Sequence, residues 1–124
     1  MPSNERISAY AKNLIAELAN SNMVTPMVWS DWWNYKTGMV SHDRDDFGVF
    51  ELQDANETTL YIGSGMMRTR LLEQLNGNEC PLATRYRIDR CATEQEAKAK
   101  ENHLLEAYKS VRNGKLPLYN GKAV

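Results

Sequence analysis

The pattern of apolar and polar residues predicts an amphipathic helix at the start of the chain. Over residues 4–20, apolar side chains recur every three or four positions, which places them on one face of a helix. Ser3 is a candidate N-cap, and the polar residues 20–22 are a candidate stop. The stripe consists of Ile7, Tyr10, Ala11, Leu14, Ile15 and Leu18.

The segment 23–46 is harder to assign because it concentrates aromatic residues, namely Trp29, Trp32, Trp33 and Tyr35. Ser30 is a candidate cap for a short helix. Aromatic side chains at this density stack on nucleic-acid bases in some proteins. We expect instead that they cover an edge of the core or contact a protein partner or a second copy of the chain.

The next segment predicts a β-hairpin followed by a helix. Residues 47–52 and 58–63 are β-rich, and the polar sequence QDANE separates them, which favours an antiparallel pair. Ser64 is positioned to cap a helix over residues 65–76, with Gly77 at its C-terminal end.

A third strand and a long helix complete the predicted fold. Residues 84–89 alternate between apolar and charged side chains, as a half-buried strand does. Thr93 and Glu96 form a capping box for a helix over residues 94–112. The order predicts an α+β fold with a three-stranded sheet flanked by helices, in which residues 46–124 form the main domain and residues 1–45 pack on it as an extension.

Composition and charge narrow the functional classes. The chain has 124 residues and a net charge of −1, but residues 1–60 carry −5 and residues 61–124 carry +4. The C-terminal half can therefore supply the positive potential that phosphate binding needs. No apolar run approaches the ~18 residues of a membrane span. The N-terminus has no apolar signal region, and the two cysteines fit no metal-ligand spacing, so we expect a reduced, cytoplasmic protein.

Several chemical motifs can be excluded. Gly63-Ser64-Gly65 begins like a dinucleotide-binding fingerprint, but Arg68 occupies the position of the third glycine and a hairpin precedes it. His42 and His103 are the only histidines, and neither can be placed beside a nucleophile. A hydrolase with a Ser-His or Cys-His pair is therefore not expected.

Glu101 is the most unusual residue of the long helix, because it falls within the apolar stripe. A carboxylate there is costly unless it is paired, protonated or bound to a metal. A structural partner, either an arginine or a tyrosine hydroxyl, remains the alternative to a functional role. Arg68 and Arg70 follow the glycine turn, and the planar guanidinium of either suits phosphate oxygens.

Taken in order, these motifs resemble the GIY-YIG nuclease domain over about residues 46–120. The sequence GVF at 48–50 is followed by YIG at 61–63, an arginine in the next helix, Glu101 in a later helix, and LPLYN ending at Asn120. The resemblance implies a three-stranded antiparallel sheet and a metal-dependent endonuclease that acts on nucleic acid, with DNA expected ahead of RNA.

The resemblance also implies a role for each matched residue. Tyr61 orients or deprotonates the attacking water, and Arg70 holds the scissile phosphate. Glu101 binds Mg²⁺ or Mn²⁺, and Asn120 completes the pocket. Arg68, Arg85 and Arg87 are then candidates for nucleic-acid binding.

The chain departs from the family pattern at three places. Phe50 stands where the first tripeptide usually has a tyrosine, and Gln74 stands where many members have a histidine. The connection from YIG to Arg70 is about one residue short, so Arg68 competes with Arg70 for the same role. The alternative function is a catalytically weak or inactive module of this fold that binds nucleic acid or protein.

Overall fold

The structure is a computed structural model and describes residues 26–121. The helix predicted over residues 4–20 lies outside that range. The described part contains four strands and three helices: β1 (Trp33–Asn34), α1 (Thr37–Val40), β2 (Phe47–Gln53), β3 (Thr59–Met66), α2 (Met67–Asn76), β4 (Arg85–Arg90) and α3 (Glu94–Ser110).

The strands form one antiparallel sheet in the order β1-β4-β2-β3. The predicted hairpin is confirmed, and it pairs Phe50 with Gly63. The predicted count of three strands is wrong for the described residues, because Trp33 and Asn34 pair with Tyr86 and Arg85 and add a fourth. A strand of two residues is too short to show a period of two, so its sequence carries no strand signal.

The hydrophobic core lies between the sheet and α2. Tyr35 packs in it and donates a hydrogen bond from its hydroxyl to the Leu71 carbonyl at 2.7 Å. The buried cluster consists of Tyr35, Val40, Phe50, Leu52, Met67, Leu71, Cys80, Tyr86 and Ile88. The helix α3 contacts β2 and β3, and its contacts with Ser64 and Asp89 place it on the opposite face of the sheet.

The start of α2 differs from the prediction. Ser64 does not cap the helix, because β3 continues to Met66 and the helix begins at Met67. Asp45 supplies the cap from the loop before β2. Its carboxylate accepts hydrogen bonds from the Thr69 backbone N–H at 3.0 Å and from the Thr69 hydroxyl at 2.6 Å. Both hydrogen bonds lower the pKa of Asp45, and the bond from the Thr69 hydroxyl is the larger cause.

The start of α3 agrees with the prediction. Thr93 accepts a hydrogen bond from the Glu96 backbone N–H at 3.0 Å, and the Glu96 carboxylate accepts one from the Ala92 N–H at 2.9 Å. The helix ends at Ser110, two residues before the predicted end. Within residues 26–121, none of the helices has the length and apolar character that a membrane span requires.

Candidate active site

The outer edge of β3 is held by the C-terminal segment of the chain. The Tyr119 N–H donates to the Leu60 carbonyl at 2.9 Å. The Asn120 side chain bonds Ile62 twice: its amide nitrogen donates to the Ile62 carbonyl, and its oxygen accepts from the Ile62 N–H, each at 2.8 Å. The Asn120 amide thus replaces the peptide group of a further strand and fixes the edge strand beside Tyr61.

Tyr61 lies on the face of β3 that looks toward α2. Its ring stacks on Phe50, with 6.1 Å between the centroids. A Cβ at position 63 would lie 2.6 Å from the Tyr61 ring and 2.8 Å from the Phe50 ring, so glycine is required between them. Phe50 is fully buried and Tyr61 is half-buried. Because phenylalanine has no hydroxyl, Tyr61 supplies the one phenol of this pair.

Arg70 lies over Gly65 on the same face. A Cβ at position 65 would lie 3.3 Å from Cγ of Arg70 and 3.5 Å from Nη1, and Gly65 has a φ of +132°, which other residues rarely adopt. The Arg70 side chain is 45% exposed and has a loose ion pair with Glu73 at 3.8 Å. By contrast, Arg68 is half-buried and donates to the Asp43 carbonyl at 3.3 Å. The geometry therefore favours Arg70 over Arg68 as the accessible arginine.

Glu101 approaches β3 from the other face. Its Oε1 accepts a hydrogen bond from the Ser64 hydroxyl at 2.5 Å and lies 3.3 Å from Nζ of Lys98. The carboxylate is only 15% exposed. Within residues 26–121 its partners are therefore a serine and a lysine, and neither the arginine nor the tyrosine hydroxyl that the sequence suggested is among them.

Each of the four predicted catalytic residues belongs to β3 or contacts one of its residues. Tyr61 belongs to β3, Asn120 bonds Ile62, Glu101 bonds Ser64 and Arg70 covers Gly65. Because side chains alternate along a strand, Glu101 and Arg70 approach neighbouring residues from opposite faces of the sheet edge. The Glu101 carboxylate and the Arg70 guanidinium thus lie on opposite sides of the same end of β3.

The chemistry of Glu101 fits a magnesium or manganese ion. No cluster of three or more His, Cys, Asp or Glu side chains suited to a metal ion occurs between residues 26 and 121. A full protein cage is not needed, because Mg²⁺ usually keeps several waters and binds one or two carboxylates together with substrate phosphate. Glu101 supplies one such carboxylate, with Oε1 held by Ser64.

Arg85 and Arg87 are engaged within the molecule. Both guanidinium groups donate to side chains of β2, Arg87 to Glu51 at 2.7 Å and Arg85 to Gln53 at 2.6 Å. Trp29 lies 4.2 Å from the Arg87 guanidinium, and Trp32 lies 4.5 Å from it and 4.4 Å from that of Arg85. Arg85 and Arg87, two of the three arginines predicted to bind nucleic acid, thus form cation–π contacts with these tryptophans.

Ser30 also differs from its predicted role, because it caps no helix. Its backbone N–H donates to the Ile88 carbonyl at 2.9 Å, and its hydroxyl accepts from the Ile88 N–H at 3.0 Å. The tryptophan-rich segment is therefore fastened along β4. Trp33 completes this packing, since its ring meets Tyr86 edge-on at 5.7 Å.

A second charged cluster joins α3 to β4. The Lys100 ammonium donates to the Asp89 carboxylate at 2.7 Å, and both side chains are less than 5% exposed. Asp89 also accepts from the Val28 N–H at 3.0 Å, and Lys100 donates to the Pro26 carbonyl at 3.4 Å. The adjoining cavity of about 670 Å³ is lined by none of the four predicted catalytic residues.

Comparison with known families places the chain in one of them. Residues 27–110 match the family described as a domain of unknown function, DUF7508, and the chain belongs to this family. The match runs from the tryptophan-rich segment to the end of α3 and includes Tyr61, Arg70 and Glu101. No curated protein and no solved structure matches the chain.

Proposed function

We propose that this protein is a GIY-YIG-type endonuclease that hydrolyses phosphodiester bonds of DNA with Mg²⁺ or Mn²⁺. One observation supports the proposal above the others. Residues far apart in the sequence, Tyr61, Arg70, Glu101 and Asn120, all belong to or contact the short stretch 61–65 of β3. A sheet edge with a phenol, a guanidinium and a carboxylate has the groups that this hydrolysis needs.

Each side chain has a defined task in the proposed mechanism. The Tyr61 hydroxyl orients the attacking water through a hydrogen bond. Arg70 binds the scissile phosphate and stabilises the charge that develops on its oxygens. Asn120 holds the strand that carries Tyr61 in place. Glu101 binds the divalent ion, which supplies Lewis-acid chemistry and a template when it is present.

Contact with nucleic acid is proposed mainly for the edge and not for the face of the sheet. Arg70 is 45% exposed, whereas Arg85 and Arg87 already contact Gln53 and Glu51. Arg68 is half-buried, so we propose for it at most a secondary contact with nucleic acid next to Arg70. DNA is proposed ahead of RNA because of the resemblance. A cytoplasmic location is proposed because of the composition.

A cleavage assay tests this proposal. The full-length protein is incubated with plasmid, single-stranded and branched DNA in Mg²⁺, in Mn²⁺ and in EDTA. The wild type is expected to cleave at least one substrate only with metal, and Glu101→Gln to cleave on the order of a thousandfold more slowly, since the metal supplies several kcal/mol of stabilisation.

The matched control for this assay is Glu106→Gln, on the same helix. The Glu106 side chain is 73% exposed, and its one ion pair within residues 26–121 is with Lys109, so its loss is expected to leave cleavage unchanged. Absence of metal-dependent cleavage by the wild type, or equal rates for Glu101→Gln and Glu106→Gln, would contradict the proposal.

The second candidate is a module of this fold that binds DNA or a protein without cleaving. Phe50 favours it, because this buried residue has no hydroxyl and the neighbouring strand therefore brings no second phenol to the edge. This candidate predicts that branched DNA binds with an affinity that Arg70→Ala lowers and Glu101→Gln does not, with no product in either metal.

A further inference from the structure

Ser64 is the one side chain of the sheet that donates a hydrogen bond to the Glu101 carboxylate within residues 26–121. Its hydroxyl is buried, with 8% of the residue exposed, and it lies 2.5 Å from Oε1. An ionised carboxylate only accepts hydrogen bonds, so the hydroxyl is the donor. Because β3 is paired along its length to β2, this donor comes from a fixed backbone.

The two contacts of Glu101 fall on the same oxygen. Ser64 and Lys98 both bond Oε1, and Oε2 accepts no hydrogen bond from residues 26–121. The Lys98 side chain is 62% exposed and lies on the same helix three residues before Glu101. An exposed ammonium on a long side chain is a weak and screened partner, whereas the hydrogen bond from Ser64 is short and the serine is buried.

We propose that Ser64 is a positioning residue for the divalent ion: it holds Oε1 of Glu101 and thereby presents Oε2 as the metal ligand. The inference rests on the proposed function, since it assigns a role toward the same ion. Lys98 acts in the opposite direction, because its positive charge near the carboxylate opposes a second cation. Hydrogen-bonding partners of a metal ligand typically contribute about 10–100-fold to metal affinity.

The proposal is tested by titrating the full-length protein with Mn²⁺ and following the free ion by electron paramagnetic resonance. Ser64→Ala is expected to weaken binding by about 10–100-fold. Ser64→Cys, which keeps the size but has a weak donor, is expected to weaken it similarly. Ser64→Thr retains the hydroxyl and is expected to stay within about threefold of the wild type, which a purely steric role would not predict.

Lys98→Met provides the opposing control. Removal of its charge is expected to leave Mn²⁺ affinity unchanged or to raise it. In the cleavage assay, Ser64→Ala is expected to raise the metal concentration for half-maximal rate by the same factor as the loss of affinity. Its rate at saturating metal is expected to change less.

The outcomes separate this inference from the proposed function. If the wild type binds Mn²⁺ and Glu101→Gln does not, but Ser64→Ala and Ser64→Cys bind as the wild type does, only the role of Ser64 is overturned. Loss of affinity in Ser64→Thr equal to that in Ser64→Ala also overturns it. If the wild type and Glu101→Gln bind Mn²⁺ equally, the role of Ser64 is overturned together with that of Glu101 in the free protein, whereas the metal dependence of DNA cleavage decides the proposed function.

Discussion

Lys100 and Glu101 are neighbours in the sequence, yet they belong to two different kinds of charged region. Lys100 pairs with Asp89 at 2.7 Å in an environment where both side chains are less than 5% exposed. Glu101 is held on one oxygen only, and its lysine partner is 62% exposed. In the first region the two charges pair with each other and hold α3 against β4. In the second, Oε2 of Glu101 accepts no hydrogen bond from residues 26–121.

The arginines repeat this contrast. Arg87 bonds Glu51 and is flanked by Trp29 and Trp32, while Arg70 at the edge of β3 has a 3.8 Å pair with Glu73. The fold therefore satisfies the charge of Arg87 more completely than that of Arg70, and the proposed function assigns the phosphate contact to Arg70.

The largest effect is expected from breaking the buried pair. Lys100→Met leaves the Asp89 carboxylate buried without its cation, so the free energy of unfolding is expected to fall by about 3–5 kcal/mol. Urea unfolding followed by circular dichroism measures it. Lys98→Met, the control for an exposed pair, is expected to change it by less than about 0.5 kcal/mol.

The double variant Asp89→Leu/Lys100→Met sharpens the same comparison. Removal of both charges leaves no unpaired ion, so it is expected to recover most of the stability that Lys100→Met loses. Equal losses for Lys98→Met and Lys100→Met would mean that the two regions do not differ as described.

The next effect concerns the two arginines. Arg87→Ala removes the ion pair with the nearly buried Glu51 and the contacts with two tryptophans, so it is expected to lower the free energy of unfolding by about 2 kcal/mol. Arg70→Ala is expected to change it by less than about 0.5 kcal/mol and to slow DNA cleavage by about 100-fold. A stable Arg87→Ala, or an unstable Arg70→Ala, would reverse the assignment.

The smallest effect is expected at Asp45, where a partner distant in sequence caps α2. Asp45→Ala is expected to lower the free energy of unfolding by about 1 kcal/mol at pH 7. The exposed Asp31→Ala is the control and is expected to stay within about 0.5 kcal/mol.

The effect at Asp45 should depend on pH with a defined sign. Hydrogen bonds from Thr69 lower its pKa in the folded state below the ordinary value of 3.8. The stabilisation is therefore present above that value and is lost as the pH falls through the folded-state pKa. Unfolding measured from pH 7 to pH 2 is expected to show Asp45→Ala and the wild type converging at the acid end. A constant difference would contradict a role for the charge.

Elements with local signals were predictable from the sequence. The hairpin, the strand β4 and the capping box of α3 each depend on residues within a few positions of one another. The cap of α2 was not predictable in this way, because Asp45 and Thr69 are 24 residues apart. Nor was β1, whose two residues gain their partners only when β4 is in place.

The candidate site shows the same limit. A carboxylate in an apolar stripe marked Glu101 as unusual, but its partner Ser64 is 37 residues away and resembled a helix cap. Arg85 and Arg87 alternate with apolar residues and looked solvent-facing. Their partners Gln53 and Glu51 alternate with apolar residues on β2 in the same way, so the matching polar positions on the two strands were the available signal for this pairing.

The most direct test of the central claim is the ratio of DNA cleavage rates for the wild type and Glu101→Gln at saturating Mn²⁺. Both proteins keep a side-chain oxygen that can accept from Ser64, so the comparison isolates the charge that binds the metal. The account predicts metal-dependent cleavage that is slower in Glu101→Gln by on the order of a thousandfold. Equal rates, or no metal-dependent product from the wild type on any of the DNA substrates, would contradict it.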